Sequence, residues 1–161
     1  MSVTKKNRGS RQVSRELALR ALYEWQVGKN DLAALYVHME EGSGFTDAEA
    51  DRPANLGDEA NMAFFHELLE GVLGEAKALD VALAPHLDRD VGELSPVEHA
   101  ALLIGAYELT HTLNVPYKVA INEAVNLTKK YGGTDGHKFV NGVLDKLARV
   151  VRTAELVSVG H

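Results

Sequence analysis

The residues of this chain that could carry chemistry include seven histidines, a group of N-terminal arginines and the segment TDGHKFVNGVLDKLA, residues 134–148. In that segment His137 and Lys138 could take part in acid–base chemistry or bind an anion, and Phe139 could be a core residue or a stacking surface for a base. Gly142 lies inside a helical pattern, where glycine costs about 1 kcal/mol relative to alanine. We therefore expect another helix to approach closely at Gly142.

The histidines form no recognisable catalytic or metal-binding motif. No two of the seven are three or four residues apart, and in HELLE, residues 66–70, Glu70 stands where a zinc protease has its second histidine. The sequence has no P-loop, no dinucleotide-binding glycine loop and no serine in a nucleophile elbow. For His137 the simpler interpretation is a surface histidine at a helix N-terminus. The sequence therefore favours a protein that is not an enzyme and that holds no metal and no cofactor.

Length and composition indicate one ordinary globular domain. The 161 residues are enough to bury a core, and 45% apolar with 25% charged residues is typical of a soluble protein. The absence of cysteine excludes disulfides and thiolate metal sites. No apolar run approaches the roughly 20 residues that cross a bilayer, and the N-terminus lacks the apolar region of a secretion signal. We expect a cytoplasmic protein that does not contact a membrane.

The net charge of −6 is unevenly distributed along the chain. Residues 1–20 hold six basic residues and one acidic residue, and residues 118–152 hold seven basic and three acidic residues. Between them, residues 21–117 hold four basic and eighteen acidic residues, which is a local charge of −14. Because electrostatic fields act within about 8–10 Å at physiological salt, two basic ends that lie side by side in the fold could hold phosphates.

The N-terminal charge forms a basic face on the first predicted helix. At roughly 100° per residue, three arginines fall within about 60° of one another and off the apolar stripe; these are Arg8, Arg11 and Arg15. We expect Lys5 and Lys6 to precede the helix as a flexible arm. A solvated charged face explains most such runs, but this one has almost no acidic neighbours in an otherwise acidic chain. We favour an anion-binding surface for nucleic acid, beside which Tyr23 could stack a base.

Apolar residues recur every three or four positions, and no segment alternates with the period of two that marks a strand. We expect an all-α bundle of about seven helices, with Ser95, Pro96 and Glu98 forming a capping box at the start of one of them. The predicted helices run from Val13 to about Gly28, over 31–41, 59–83, 96–113 and 117–131, and from about 135 to 152, with a short one near 85–92. Residues 42–58 are rich in glycine and acid and predict a mobile loop.

The last helix is predicted to be half core and half phosphate-facing rim. Thr134 or Asp135 caps it, and Lys138 lies on its exposed first turn, where unpaired N–H groups favour anions. The core face consists of Val140, Val143, Leu144 and Leu147.

Four segments resemble the NusB family of bacterial transcription antitermination factors. They are ALYEWQ (21–26), FFHELLEGV (64–72), GAYELTHTLNVPYKVAINEAVNLTKKYGG (105–133) and HKFVNGVLDKLA (137–148), and the similarity runs from about Arg11 to Arg152. The resemblance implies an all-α fold of two packed helical subdomains without catalytic activity. It also implies binding to the boxA element of nascent ribosomal RNA as a heterodimer with the ribosomal protein NusE, within a complex of other antitermination factors and RNA polymerase.

The resemblance also implies which residues contact the partners. The implied RNA face consists of Lys5, Lys6, Arg8, Arg11, Arg15, Tyr23, Tyr117, Lys118, Asp135, Lys138 and Phe139. The implied NusE face lies around Glu98, Tyr107 and Glu108, where an acidic surface suits a basic ribosomal protein.

Two other functions remain as alternatives at this stage. One is the RNA-binding module of a ribosomal RNA methyltransferase, and the other is a helical adaptor that binds only proteins and whose arginines are merely solvated. We expect a flexible basic arm at 1–10, the NusB-like domain at 11–152 and a frayed tail at 153–161. The sequence is compatible with a monomer and with a homodimer.

Overall fold

Helices make up nearly all of the structure, a computed structural model that describes residues 2–28, 31–40 and 61–159, with side chains within 9–28, 31–37 and 61–156. Within these ranges there is no strand, so the all-α class predicted from the sequence is confirmed. The α-helices are α1 (Ser2–Gly28), α2 (Leu32–Glu40), α3 (Met62–Leu83), α4 (Pro96–His111), α5 (Tyr117–Tyr131), α6 (Gly136–Val151) and α7 (Thr153–Val159). Two 3-10 turns, Ala84–His86 and Val91–Glu93, lie between α3 and α4.

The chain divides into two compact units, Met1–Glu70 and Gly71–His161. In the first unit α1 packs on α2, and the core is made by Leu22 of α1, Leu35 of α2 and Phe65 of α3, all fully buried. Asn61 begins α3: its side-chain oxygen accepts the N–H of Phe64 at 3.0 Å, as an N-cap residue does.

Hydrogen bonds join the start of α3 to α1 within the first unit. The buried Ser14 hydroxyl lies 2.8 Å from the carbonyl oxygen of Ser10 and 2.7 Å from that of Asn61. The N–H of Asn61 donates to the Ser10 carbonyl at 3.2 Å. These contacts bring Phe64, the third residue of α3, to the part of α1 that carries Arg11 and Arg15.

The second unit is built around α4, in which residues 100–106 are all buried, so the helix is covered on every side. Both α5 and α6 pack on it. A Cβ at Gly105 would lie 2.5 Å from Cδ1 of Leu144 and 3.3 Å from Cβ of Ala124. Only glycine leaves room for this approach, because real Cβ contacts are not that short and the interior is close-packed.

The capping box at the start of α4 is present in its first half. The Ser95 hydroxyl accepts the N–H of Glu98 at 3.1 Å, and Pro96 occupies the first helical position. Pro116 in turn precedes α5 and has no side-chain cap. Asp135 is the N-cap residue of α6, but its side chain makes no capping hydrogen bond.

The last predicted helix has the expected core face but not the expected glycine contact. Val140, Val143, Leu144 and Leu147 are all buried, as predicted. Gly142, however, is exposed, and a Cβ there would have nothing within 4 Å. The expectation that a helix approaches Gly142 was wrong, because the glycine lies on the solvent side of α6. The close approach occurs at Gly105 instead.

Both ends of the chain differ from the sequence expectation. Helix α1 already begins at Ser2, so Lys5, Lys6 and Arg8 fall within the helix rather than in an arm before it, and their side chains lie outside the described ones. Residues 153–159, expected to be frayed, form α7. The predicted loop at 42–58 lies outside the described residues, and the predicted domain limits remain a prediction.

A polar junction centred on the buried Arg152 lies between α6 and α7. Arg152 is 5% exposed; its Nε donates to the carbonyl of Leu109 at 2.8 Å, and one Nη donates to the carbonyls of Glu108 and Thr112 at 3.1 and 3.2 Å. The guanidinium thereby satisfies carbonyls at the C-terminal end of α4, where the helix dipole favours a cation.

Glu155 of α7 completes this junction. One carboxylate oxygen accepts from the other Nη of Arg152 at 2.6 Å, and the second accepts the backbone N–H of Tyr117 at 3.0 Å. The hydrogen bond from the Tyr117 N–H is the main cause of a lowered pKa at Glu155, and the Arg152 guanidinium lowers this pKa further. The partial burial of Glu155 opposes the shift. The junction therefore joins the end of α4 to the start of α5, which carries Lys118.

Candidate nucleic-acid interface

Two arginines of α1 lie on one aromatic ring in the first unit. The guanidinium carbon of Arg11 is 4.7 Å from the centroid of the Phe64 ring, and that of Arg15 is 5.1 Å from it. Both distances are within the range of cation–π attraction. Arg11 is exposed, so its charge is available to a ligand, whereas Arg15 is only 4% exposed. Arg15 thus differs from the exposed position expected of it, because the helix turns it toward the Phe64 ring.

Tyr23 lies two turns beyond Arg15 on α1 and is half-buried, so part of its side chain reaches the surface. The remaining N-terminal cations predicted for this face, Lys5, Lys6 and Arg8, have side chains outside the described ones.

In the second unit, the start of α6 carries an exposed charged pair. Lys138 Nζ lies 3.8 Å from Oδ1 of Asp135, and both side chains are more than 70% exposed. An exposed pair of this kind contributes at most about 1 kcal/mol, so the lysine can exchange its partner for a phosphate. Phe139, the next residue, is half-buried.

A residue that the sequence analysis did not single out covers Phe139. The guanidinium carbon of Arg89 lies 4.2 Å from the centroid of the Phe139 ring, and Arg89 Nε donates to Oδ1 of Asp88 at 2.7 Å. The Arg89 guanidinium holds the pKa of the Asp88 carboxyl below its ordinary value, chiefly through this hydrogen bond. No periodicity marks Arg89 in the sequence, since it lies between two 3-10 turns where the helical pattern is interrupted.

Tyr117 and Lys118 begin α5, but only one of them faces solvent. Lys118 is exposed, whereas Tyr117 is 9% exposed and presents almost none of its ring to a ligand. At the first turn of α5, the backbone N–H of Tyr117 is also held by Glu155. Tyr117 therefore helps to position Lys118 more than it offers a stacking surface.

The three residues expected at the NusE face have different environments. Glu108 is fully buried in α4, so the expectation that its carboxylate belongs to a surface was wrong: it lies on the core side of the helix. Tyr107 is half-buried, and its ring packs so tightly on Gly71 that a Cβ there would lie 2.3 Å from it. Its ring centroid is 4.9 Å from that of His111.

Glu98, the third of these residues, is half-buried next to the first turn of α6. A Cβ on Gly136 would lie 2.8 Å from the Glu98 Oε2 atom. A carboxylate at this place complements the positive end of the α6 dipole, so Glu98 has a structural role in the second unit as well as a partly accessible side chain.

The first unit also contains an aromatic cluster that no sequence pattern indicated. Tyr36 donates its hydroxyl to Glu70, and its ring lies 4.5 Å from that of His66 and 5.9 Å from that of Phe65. Partial burial, then the hydrogen bond to Glu70, raises the pKa of Tyr36. The hydrogen bond and the two ring contacts join α2 to α3.

Within the described ranges, no group of three or more histidine, aspartate or glutamate side chains is arranged to hold a metal ion. In the same ranges, no helix combines the length and the apolar character needed to cross a membrane.

The fold and the site together define an all-α protein that carries arginine and lysine side chains beside aromatic rings, an arrangement found in proteins that bind nucleic acid. The chain belongs to the NusB family, whose pattern it matches over residues 12–149. It is 48% identical over 151 residues to the "Transcription antitermination protein NusB" of Cupriavidus pinatubonensis, covering 94% of this chain and 83% of that protein. It is 49% identical over 148 residues to the protein of the same name from Thiobacillus denitrificans, covering 92% and 94% of the two chains.

Solved structures show the same fold. Superposition on T. maritima NusB gives a TM-score of 0.67 at 26% identity, covering 86% of this chain and 90% of that one. A chain from a crystal structure of the antitermination factors NusB and NusE in complex with dsRNA gives a TM-score of 0.70 at 23% identity, covering 86% and 96%. The all-α fold implied by the sequence resemblance is thus the fold of these solved structures.

Proposed function

We propose that this protein is a transcription antitermination factor that binds boxA RNA of nascent ribosomal RNA transcripts together with the ribosomal protein NusE, and so suppresses termination by RNA polymerase. The observation that carries the proposal is the 48% identity over 151 residues to a relative named as a transcription antitermination protein. A related structure pairs NusB with NusE and RNA. The factor would work in the cytoplasm of a bacterium, where nascent transcripts form.

The RNA would be bound by cations on α1 and by those at the starts of α5 and α6. Arg11, Lys118 and Lys138 are exposed, so each can neutralise a phosphate at little cost. Arg15 contributes from a buried position by sharing the Phe64 ring with Arg11. Phe139 and Tyr23 are the aromatic rings on which a base could stack.

NusE would bind the acidic part of the chain. Residues 21–117 carry a local charge of −14, which complements a basic ribosomal protein and speeds its association. Among the residues expected at this face, Glu98 and Tyr107 have partly exposed side chains, whereas Glu108 does not. We therefore assign the NusE contact to Glu98 and Tyr107.

The proposed activity is binding and not catalysis. The chain has no cysteine to act as the nucleophile of a ribosomal RNA cytosine methyltransferase. The second candidate, a helical adaptor that binds only proteins, does not account for exposed cations placed beside aromatic rings in both units.

An RNA mobility shift tests the proposal and separates it from the adaptor. The purified chain is titrated against labelled boxA RNA and a scrambled RNA of the same composition, each with and without NusE. We expect a shift of boxA RNA that NusE strengthens and that the scrambled RNA does not reproduce. An adaptor would bind NusE in a pull-down but shift neither RNA. Transfer of a labelled methyl group to ribosomal RNA would instead support the methyltransferase module.

A further inference from the structure

Arg89, which the family resemblance did not assign, covers the ring of Phe139 at the surface of the second compact unit. The guanidinium carbon of Arg89 lies 4.2 Å from the centroid of the Phe139 ring. The side chain of Arg89 is 37% exposed and that of its partner Asp88 is 71% exposed. The arginine is therefore held in one place and still reaches solvent.

This arrangement does little for stability. An exposed ion pair between adjacent residues contributes little, because water screens it and ordering the side chains costs entropy. The cation–π contact at an exposed site contributes a similar amount. A packing role alone would not need a charged group, since any apolar side chain could cover the Phe139 ring.

The geometry leaves the arginine competent to bind a phosphate. Its hydrogen bond to Asp88 uses Nε, so the N–H groups of the two terminal nitrogens can still donate to phosphate oxygens. Lys138 directly precedes Phe139 in α6 and is 75% exposed. The first turn of α6 therefore carries an exposed cation next in sequence to the ring that Arg89 covers.

We propose that Arg89 is a further RNA-binding residue, in which the Phe139 ring holds the guanidinium ready for an RNA phosphate and Asp88 competes with that phosphate. The inference rests on the proposed function, because it assigns a phosphate to the same RNA face. Asp88 lowers the affinity for RNA, because its carboxylate is paired with Arg89 when RNA is absent and repels a phosphate bound there.

The chain contains a matched control for this arginine. Arg149, on the last turn of α6, also donates through Nε to a neighbouring carboxylate, that of Asp145 at 3.2 Å. Its side chain is 68% exposed, and it stacks on none of the described aromatic rings. Arg149→Gln therefore removes the same charge and the same kind of ion pair from a different part of the unit.

The test measures equilibrium binding of the full chain with NusE to fluorescent boxA RNA over a series of salt concentrations. Arg89→Gln should weaken binding about tenfold and reduce the slope of log affinity against log salt by about 0.7, as loss of one single-strand phosphate contact requires. Asp88→Asn should strengthen binding two- to threefold at low salt, about the effect of one exposed ion pair. Arg149→Gln should change neither quantity.

The outcomes separate the inference from the proposed function. If the wild-type complex does not bind boxA RNA in preference to scrambled RNA, the proposed function fails and this inference falls with it. If the wild type binds but Arg89→Gln behaves like Arg149→Gln, only the inference is overturned. A weaker Arg89→Gln variant with an unchanged salt slope would also overturn it, because the arginine would then only position Phe139. Circular dichroism of each variant confirms that the helices are retained.

Discussion

We expect the largest loss of stability from a substitution that removes the buried guanidinium of Arg152. The carbonyls of Glu108 and Thr112 each accept a backbone N–H as well as an N–H of Arg152. Among the described residues, the donor to the Leu109 carbonyl is Arg152. Arg152→Met keeps an apolar chain of similar length but removes every donor. It leaves the Leu109 carbonyl buried without that donor and the Glu155 carboxylate without its cation.

The expected cost follows from these losses. An orphaned buried acceptor costs about 1–3 kcal/mol, and loss of the ion pair with Glu155, whose side chain is 31% exposed, adds up to about 1 kcal/mol. Because small domains are stable by only about 5–15 kcal/mol, this is a large part of the total. With a urea dependence of about 2 kcal/mol per molar, the midpoint of unfolding should fall by about 0.5–2 M.

Urea unfolding followed by circular dichroism at 222 nm measures this shift. Arg149→Met provides the control. Arg149 lies three residues before Arg152 and is mostly exposed, and the substitution removes its ion pair with Asp145. We expect that control to stay within about 0.5 kcal/mol of the wild type. Equal midpoints for the Arg152→Met and Arg149→Met variants would refute the assignment of Arg152 as the cap of α4.

Two further predictions concern the second unit. The pKa of Glu155 is lowered in the folded state, so its contribution to stability is present above its ordinary value of 4.5 and is lost as pH falls through the lower folded value. The difference in unfolding free energy between wild type and Glu155→Gln, measured by urea titration, should therefore be largest above pH 4.5 and shrink at more acidic pH. A difference independent of pH would contradict the role of the Glu155 carboxylate in the junction. Gly105→Ala should destabilise by about 1–3 kcal/mol because its Cβ would lie 2.5 Å from Leu144. Gly142→Ala should instead stabilise by up to about 1 kcal/mol, because its site is open and alanine favours helix; thermal unfolding in which the two substitutions shift the midpoint in the same direction would be inconsistent with these packing assignments.

The sequence predicted the helices well because their start signals and apolar periods are local. Ser95 and Pro96 marked the start of α4, and the apolar stripe of α6 marked its core face, as the structure confirms. The position of a glycine within a helix carries no such signal. Glycine costs the same in any helix, so the sequence could not tell the packed Gly105 from the solvent-facing Gly142.

The charge of a residue did not predict whether its side chain is exposed, whereas the apolar period predicted the helices. Arg15, Glu108 and Arg152 are all charged and all at most 5% exposed. For Arg15 and Arg152 the partners are groups that only the tertiary structure supplies, and for Arg15 the partner is the Phe64 ring. For Arg152 these partners are the carbonyls at the end of α4, more than forty positions earlier in the chain. The position of Arg89 could not be predicted for a related reason, because the ring that it covers, Phe139, is also remote in sequence.

The central claim is that cations of α1 and of the start of α6 bind RNA. Photo-crosslinking tests it directly: boxA RNA containing 4-thiouridine is irradiated with the full chain and NusE, and the crosslinked peptides are identified by mass spectrometry. We expect crosslinks in a peptide near Arg11 and in a peptide that contains Lys138 and Phe139. Crosslinks confined to the acidic helices α3 and α4, with neither basic peptide modified, would contradict it.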